Sequence, residues 1–138
     1  MTPNTEKDKV EISHYILEHV PKEAEVTRIE YEGPALAVYT KRPEILVEQS
    51  STIADIVSII RKRIVVRSDP SVRLQENEAE RIAREIIPAE AEVTDINFDP
   101  SLGEIIIEAK KPGLVIGKNG AVLQEIIRRT KWRPHVLR

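Results

Sequence analysis

Between Val115 and Leu123 the chain reads Val-Ile-Gly-Lys-Asn-Gly-Ala-Val-Leu, so that Gly117 and Gly120 bracket Lys118 and Asn119. The chemistry open to such a segment is anion binding. Glycine admits positive φ and, without a Cβ, lets another backbone come close. A helix that starts after Gly120 aims its free N–H groups and the positive end of its dipole at the loop, which suits a phosphate. Lys118 adds a mobile cation whose contribution depends on salt. Asn119 is placed to cap the helix or to donate to a phosphate oxygen. Val115 and Ile116, with Leu114, offer an apolar wall for unstacked bases. Lys110 and Lys111 precede the loop, and Arg128 and Arg129 follow it on the helix. Together with Gly117, Lys118, Asn119 and Gly120 they complete the candidate binding set.

Charge along the chain supports that choice, although the total does not. The net charge is −2. Lys110 to Arg138 carries eight basic residues against one acidic, Glu125, for a net of +7. Ser71 to Ala109 carries three basic against ten acidic, for a net of −7. Adjacent segments of opposite sign imply a polarised surface that the total conceals. Trp132, the only tryptophan, lies in the basic run Arg128-Arg129-Thr130-Lys131-Trp132-Arg133. A strand-start tryptophan is expected in packing rather than in base stacking.

Other chemistry finds no residues. The three histidines, His14, His19 and His135, form no H-x-H or H-E-x-x-H ligand pattern. No Walker lysine motif or nucleophile elbow occurs. The chain has no cysteine, which excludes disulfides and zinc–thiolate sites. No catalytic residue, metal ligand or cofactor site is therefore expected in this chain. No apolar run approaches the roughly 18 residues of a membrane span, and the opening Met1–Val10 has no apolar signal-peptide core. No membrane partner and a cytoplasmic location are expected.

The elements that would hold the loop come from a repeat. Pro21–Ile29 and Pro88–Ile96 share seven of nine positions, 67 residues apart. Lys41-Arg42-Pro43 then aligns with Lys110-Lys111-Pro112, 69 residues on, the extra two falling in Asp99–Gly103. Ala79, Ile82, Ala83, Ile86 and Ile87 have the spacing of an amphipathic helix that Pro88 ends. Val10, Ile16, Leu17 and Val20 predict its counterpart in the first copy. Two alternating runs follow in each copy: Glu25 to Tyr31 with Ala35 to Thr40, and Glu92 to Phe98 with Glu104 to Ala109. The turn residues between them make each pair a hairpin. A short helix after Pro112 breaks at Gly117, a longer one spans about 121–130, and a strand spans about 132–137. The expectation is an α+β chain of two domains, 1–70 and 71–138, each ordered helix-strand-strand-helix-helix-strand.

The Gly117–Gly120 loop, lying between two helices, after a hairpin and before a strand, resembles the GXXG loop of KH domains, which clamps the backbone of four nucleotides of single-stranded RNA. The element order resembles the type II KH arrangement, so the resemblance implies two tandem type II KH domains. The first copy places Glu48-Gln49-Ser50-Ser51 at the loop and reads as a degenerate KH domain lacking GXXG. Lys41, Arg42, Arg61, Lys62 and Arg63 leave it a basic surface for peripheral phosphate contact.

Lys110–Gly120, the two Pro-x-Glu-Ala-Glu-Val-Thr segments and Lys131-Trp-Arg-Pro134 together resemble the N-terminal region of archaeal cleavage-and-polyadenylation-specificity-factor-like ribonucleases. That resemblance implies an RNA-binding head, ending just before a metallo-β-lactamase/β-CASP core. Zinc would be the cofactor of that core, and its work RNA 3′-end processing or transcription termination. Two other expectations remain open: a stand-alone NusA-like KH transcription factor, and a docking module for RNA polymerase.

Overall fold

The computed structural model describes residues 5–137, with side chains from residue 8 onward. The chain divides into two compact units, 1–66 and 67–138.

The first unit begins with helix α1 (Thr5–His19) and a single 3-10 turn (Lys22–Ala24). Strands β1 (Val26–Glu32) and β2 (Ala35–Thr40) form an antiparallel hairpin in which Ile29 faces Val38. Helices α2 (Pro43–Glu48) and α3 (Ser50–Ile60) lead to β3 (Ile64–Ser68), and the sheet runs β1-β2-β3. Its core contains Ile16, Ala24, Leu36, Val38, Leu46 and Ile56. The face of α1 differs from the expected one: Val10 and Leu17 are 68% and 48% exposed. Ile12, Ile16 and Val20, spaced i, i+4, i+8, pack inward instead. They align, 67 residues on, with Ala79, Ala83 and Ile87 of the second core.

The second unit contains α4 (Glu76–Ile86), a 3-10 turn (Ala89–Ala91), β4 (Val93–Asp99), β5 (Glu104–Ala109), α5 (Pro112–Ile116), a one-turn 3-10 segment (Lys118–Gly120), α6 (Ala121–Thr130) and β6 (Arg133–Leu137). β4 and β5 are antiparallel, while β5 and β6 are parallel with Ile107 beside Val136. The parallel step requires a crossover, and α5 with α6 supplies it. Ala79, Ala83, Ile105, Ile107, Val115 and Ile126 make the core.

The repeated Pro-x-Glu-Ala-Glu segment has one structural task in both units. Ala24 and Ala91 are fully buried, and Glu25 and Glu92 both have φ 54°. Their carbonyls anchor the start of the next helix. Lys41 and Arg42 donate backbone N–H to Glu25 and Ala24, and Lys110 and Lys111 donate to Glu92 and Ala91. This brace fixes where α5, and hence the loop beyond it, begins.

Candidate nucleic-acid interface

Pro112 at the first helical position starts α5, with Lys111 as its N-cap residue. Val115 is fully buried in the core, while Leu114 is 40% exposed. After Ile116 the backbone leaves the right-handed region: Gly117 has φ 78°, ψ 173°, Asn119 φ 56°, ψ 28°, and Gly120 φ 76°, ψ 16°. The conformation at Gly117 is essentially reserved for glycine. A Cβ there would also lie 2.5 Å from Val122 Cγ2 and 2.9 Å from the Val122 backbone nitrogen. Gly117 is thus required twice, by dihedral and by close approach. Gly120 is required only by dihedral, since nothing lies within 4 Å of an added Cβ.

The turn is held by the Gly117 N–H to Gly113 O at 3.0 Å and the Gly120 N–H to Gly117 O at 3.2 Å. Lys118 and Asn119 are pushed to the surface. Asn119 does not cap α6; Gly120 occupies the N-cap position, without a side-chain cap hydrogen bond. The first N–H groups of a helix have no partner within the helix. α6 thus presents a positive end beside an exposed lysine and an exposed amide.

The remaining expected residues are only partly gathered here. Lys110 and Lys111 are exposed at the opening of α5, one short helix before the loop. Arg128 and Arg129 are in the last turn of α6. At 1.5 Å per residue they lie about 12 Å along the axis from Gly120. Arg128 is also paired with Glu125 on the same helix, so it reads first as a helix-surface charge that complements the dipole. Trp132 is packed: it is 4% exposed, its Nε1–H donates to Leu74 O at 2.8 Å, and its ring meets Phe98 edge-on with centroids 5.0 Å apart. The sequence reading missed Val122, whose contact makes Gly117 indispensable; a glycine with a β-branched residue five positions on gives no distinct signal.

The equivalent junction in the first unit has no such loop. α2 ends at Glu48, Gln49 joins with φ −99°, and α3 begins at Ser50. Glu48, Gln49, Ser50 and Ser51 are exposed. A carboxylate stands where the second unit has Gly117, and it repels phosphate.

Residues 6–73 match the family described as "Transcription termination factor FttA, KH domain". Over these residues the chain is similar to the KH domain of FttA transcription termination factors. The transcription termination factor FttA of Pyrococcus horikoshii is 50% identical over 136 residues, covering 97% of this chain and 21% of that protein. FttA of Pyrococcus abyssi is 48% identical, covering 97% of this chain and 21% of that protein. FttA of Thermococcus kodakarensis is 46% identical over 128 residues, covering 93% and 20%. The chain spans about a fifth of the length of these FttA proteins.

The expectation of two tandem type II KH domains is corrected by this match. One KH domain is identified, at residues 6–73. It falls on the half with Glu48-Gln49-Ser50-Ser51, not on the half with the glycine loop. The crystal structure of APE1850 covers 92% of this chain and 94% of its own at 18% identity and a TM-score of 0.35. The physical reason is that both units reach the same element order through one repeated brace, and element order does not by itself identify a family.

Among the described residues no group of three or more His, Cys, Asp or Glu is placed to hold a metal. No helix among them is long and apolar enough to cross a membrane.

Proposed function

We propose that this chain binds single-stranded RNA, with Gly117–Gly120 gripping the phosphate backbone and Lys118 and Asn119 reaching its oxygens. The observation that carries the reading is the α5–α6 junction. Three positive-φ residues open the backbone at the N-terminus of a ten-residue helix, and both intervening polar side chains are exposed. A phosphate needs close approach and positive charge, and the junction offers both, with the positive end of α6 beside them. The FttA KH domain supports RNA as the ligand, because KH modules take unstacked single strands. The reading rests on the loop itself and needs no KH assignment for the second unit. Val115, being buried, acts from beneath; Leu114 and Ile116 form the accessible wall. Lys110 and Lys111 extend the positive surface at the start of α5.

In the longer protein, this RNA-binding region presents the strand to a zinc-dependent ribonuclease core outside these 138 residues. The work is RNA 3′-end processing or transcription termination in the cytoplasm, alongside the transcription machinery. The relatives are named as transcription termination factors, which supports that setting.

The test is Lys118→Asp combined with Asn119→Asp. Two carboxylates then face the phosphate while Gly117 and Gly120 keep the turn. Single-stranded RNA affinity is expected to fall at least about tenfold, or roughly 1.4 kcal/mol. A double variant that binds like the parent removes the loop as the grip.

A further inference from the structure

We propose that the first unit carries a base-stacking site of its own, formed by Tyr31 with Lys62, Arg61 and Arg63. The proposal takes single-stranded RNA as the ligand from the reading above. It is otherwise independent of the glycine loop.

The argument comes from positions that correspond between the units. In the second unit, the half-buried Phe98 packs edge-on against the buried Trp132 next to the start of β6. The segment before α4 roofs that pair. Leu74 O accepts from the indole, and the Arg73 guanidinium lies 5.5 Å from the ring centroid. Arg73 and Gln75 have extended backbones there.

The same positions in the first unit are Tyr31 and Lys62. Tyr31 aligns with Phe98 in the hairpin register. Lys62 aligns with Trp132, each following a left-handed residue that ends a helix, Arg61 at φ 60° and Lys131 at φ 64°. Residues 6–8, which correspond to the roofing segment, are instead turns of α1. The position is open: Tyr31 is 38% exposed, with Lys62 Nζ 5.7 Å from its ring centroid. Arg61 and Arg63 are exposed on either side of Lys62 in sequence. Glu30, one residue away, is held by Lys9 at 2.9 Å.

An accessible aromatic ring beside a run of cations is the pair of features that single-stranded nucleic acid uses. The base lies on the ring, and the flanking phosphates meet the cations. An acidic peptide would use the cations but gains nothing from the ring face, so RNA is the better match.

The test measures fluorescence anisotropy of labelled oligouridine with the whole 138-residue chain. Two lengths are used, about four nucleotides, enough for one loop, and about sixteen, the upper range for tracking a groove. Tyr31→Leu is expected to weaken the longer strand at least about fivefold, the low end of one lost stacking contact. It should leave the short strand unchanged, and Tyr31→Phe should restore the long-strand affinity to within about twofold, because the ring is kept. Lys62→Gln should lower the salt slope by about 0.7. Unchanged thermal melting checks that Tyr31→Leu is folded. Parental long-strand affinity in Tyr31→Leu overturns the proposal, whether or not the Lys118→Asp/Asn119→Asp chain still binds. If that loop variant alone binds normally, the loop reading fails while the Tyr31 site stands on its own result. If Tyr31→Leu loses affinity for polyglutamate but not for RNA, the site takes acidic peptide and the RNA proposal is overturned.

Discussion

At the junction of α2 and α3 the backbone passes from helix to helix through Gln49, φ −99°, ψ 47°. At the junction of α5 and α6 it passes through Gly117, Asn119 and Gly120, at φ 78°, 56° and 76°. Both junctions follow the same hairpin and brace. In the first, one helix runs almost directly into the next, with a carboxylate at the corner. In the second, the chain steps away and returns, and Lys118 and Asn119 stand beside the open end of a helix. The difference teaches that this scaffold does not require the glycine turn to fold. The turn is extra backbone freedom added at one place, and freedom of that kind is kept where something must come close.

The largest expected effect breaks the turn itself. Gly117→Ala meets a reserved dihedral and the Val122 contact together, so it should destabilise the chain by about 2–4 kcal/mol in denaturant unfolding. Its counterpart Glu48→Ala, on an exposed corner, should stay within about 0.5 kcal/mol. Equal losses would mean that the two junctions bear the same structural load. Next comes the Lys118→Asp/Asn119→Asp variant, which acts on affinity and leaves the fold alone. Gly120→Ala sharpens the comparison further. It has open space but the wrong dihedral, so a cost of about 1 kcal/mol is expected, clearly below that of Gly117→Ala.

The smallest effect concerns the hairpins, which differ as the junctions do. The turn of the first is short and holds Gly33, whereas in the second Asp99 accepts from the Ser101 hydroxyl and from the Ser101 and Leu102 N–H groups. Those bonds, the Ser101 hydroxyl first, hold its carboxyl below the ordinary 3.8. A depressed folded pKa gives stability that is present above the unfolded value and lost as pH falls through the folded one. Asp99→Ala should therefore lower the melting temperature at neutral pH, and the gap to the parent should close as pH falls below about 3.8. A gap independent of pH would show that the carboxylate is not the part that matters.

Much of the scaffold was legible in the residues. The Pro-x-Glu-Ala-Glu-Val-Thr repeat marked two copies because one short segment performs one task, a buried alanine followed by a left-handed glutamate whose carbonyl anchors the next helix. The glycine spacing located the loop because positive φ leaves few alternatives to glycine. Other features were not legible for physical reasons. Val10 and Leu17 were read as core because apolar spacing alone allows more than one helical face; only the alignment with Ala79, Ala83 and Ile87 separates them. The tandem KH reading was corrected because the KH match covers residues 6–73 alone, and a shared element order does not by itself identify a family. Tyr31 escaped notice because its exposure depends on where α1 begins.

The central claim is that RNA touches one junction and not the other. The direct measurement is a ¹H–¹⁵N NMR titration of the labelled chain with an oligouridine of about four nucleotides, the length one loop holds. The amides of Lys118, Asn119, Gly120, Ala121 and Val122 are expected to shift together, while those of Glu48, Gln49, Ser50 and Ser51 stay in place. Shifts at Glu48–Ser51 with none at Lys118–Val122 would contradict the account.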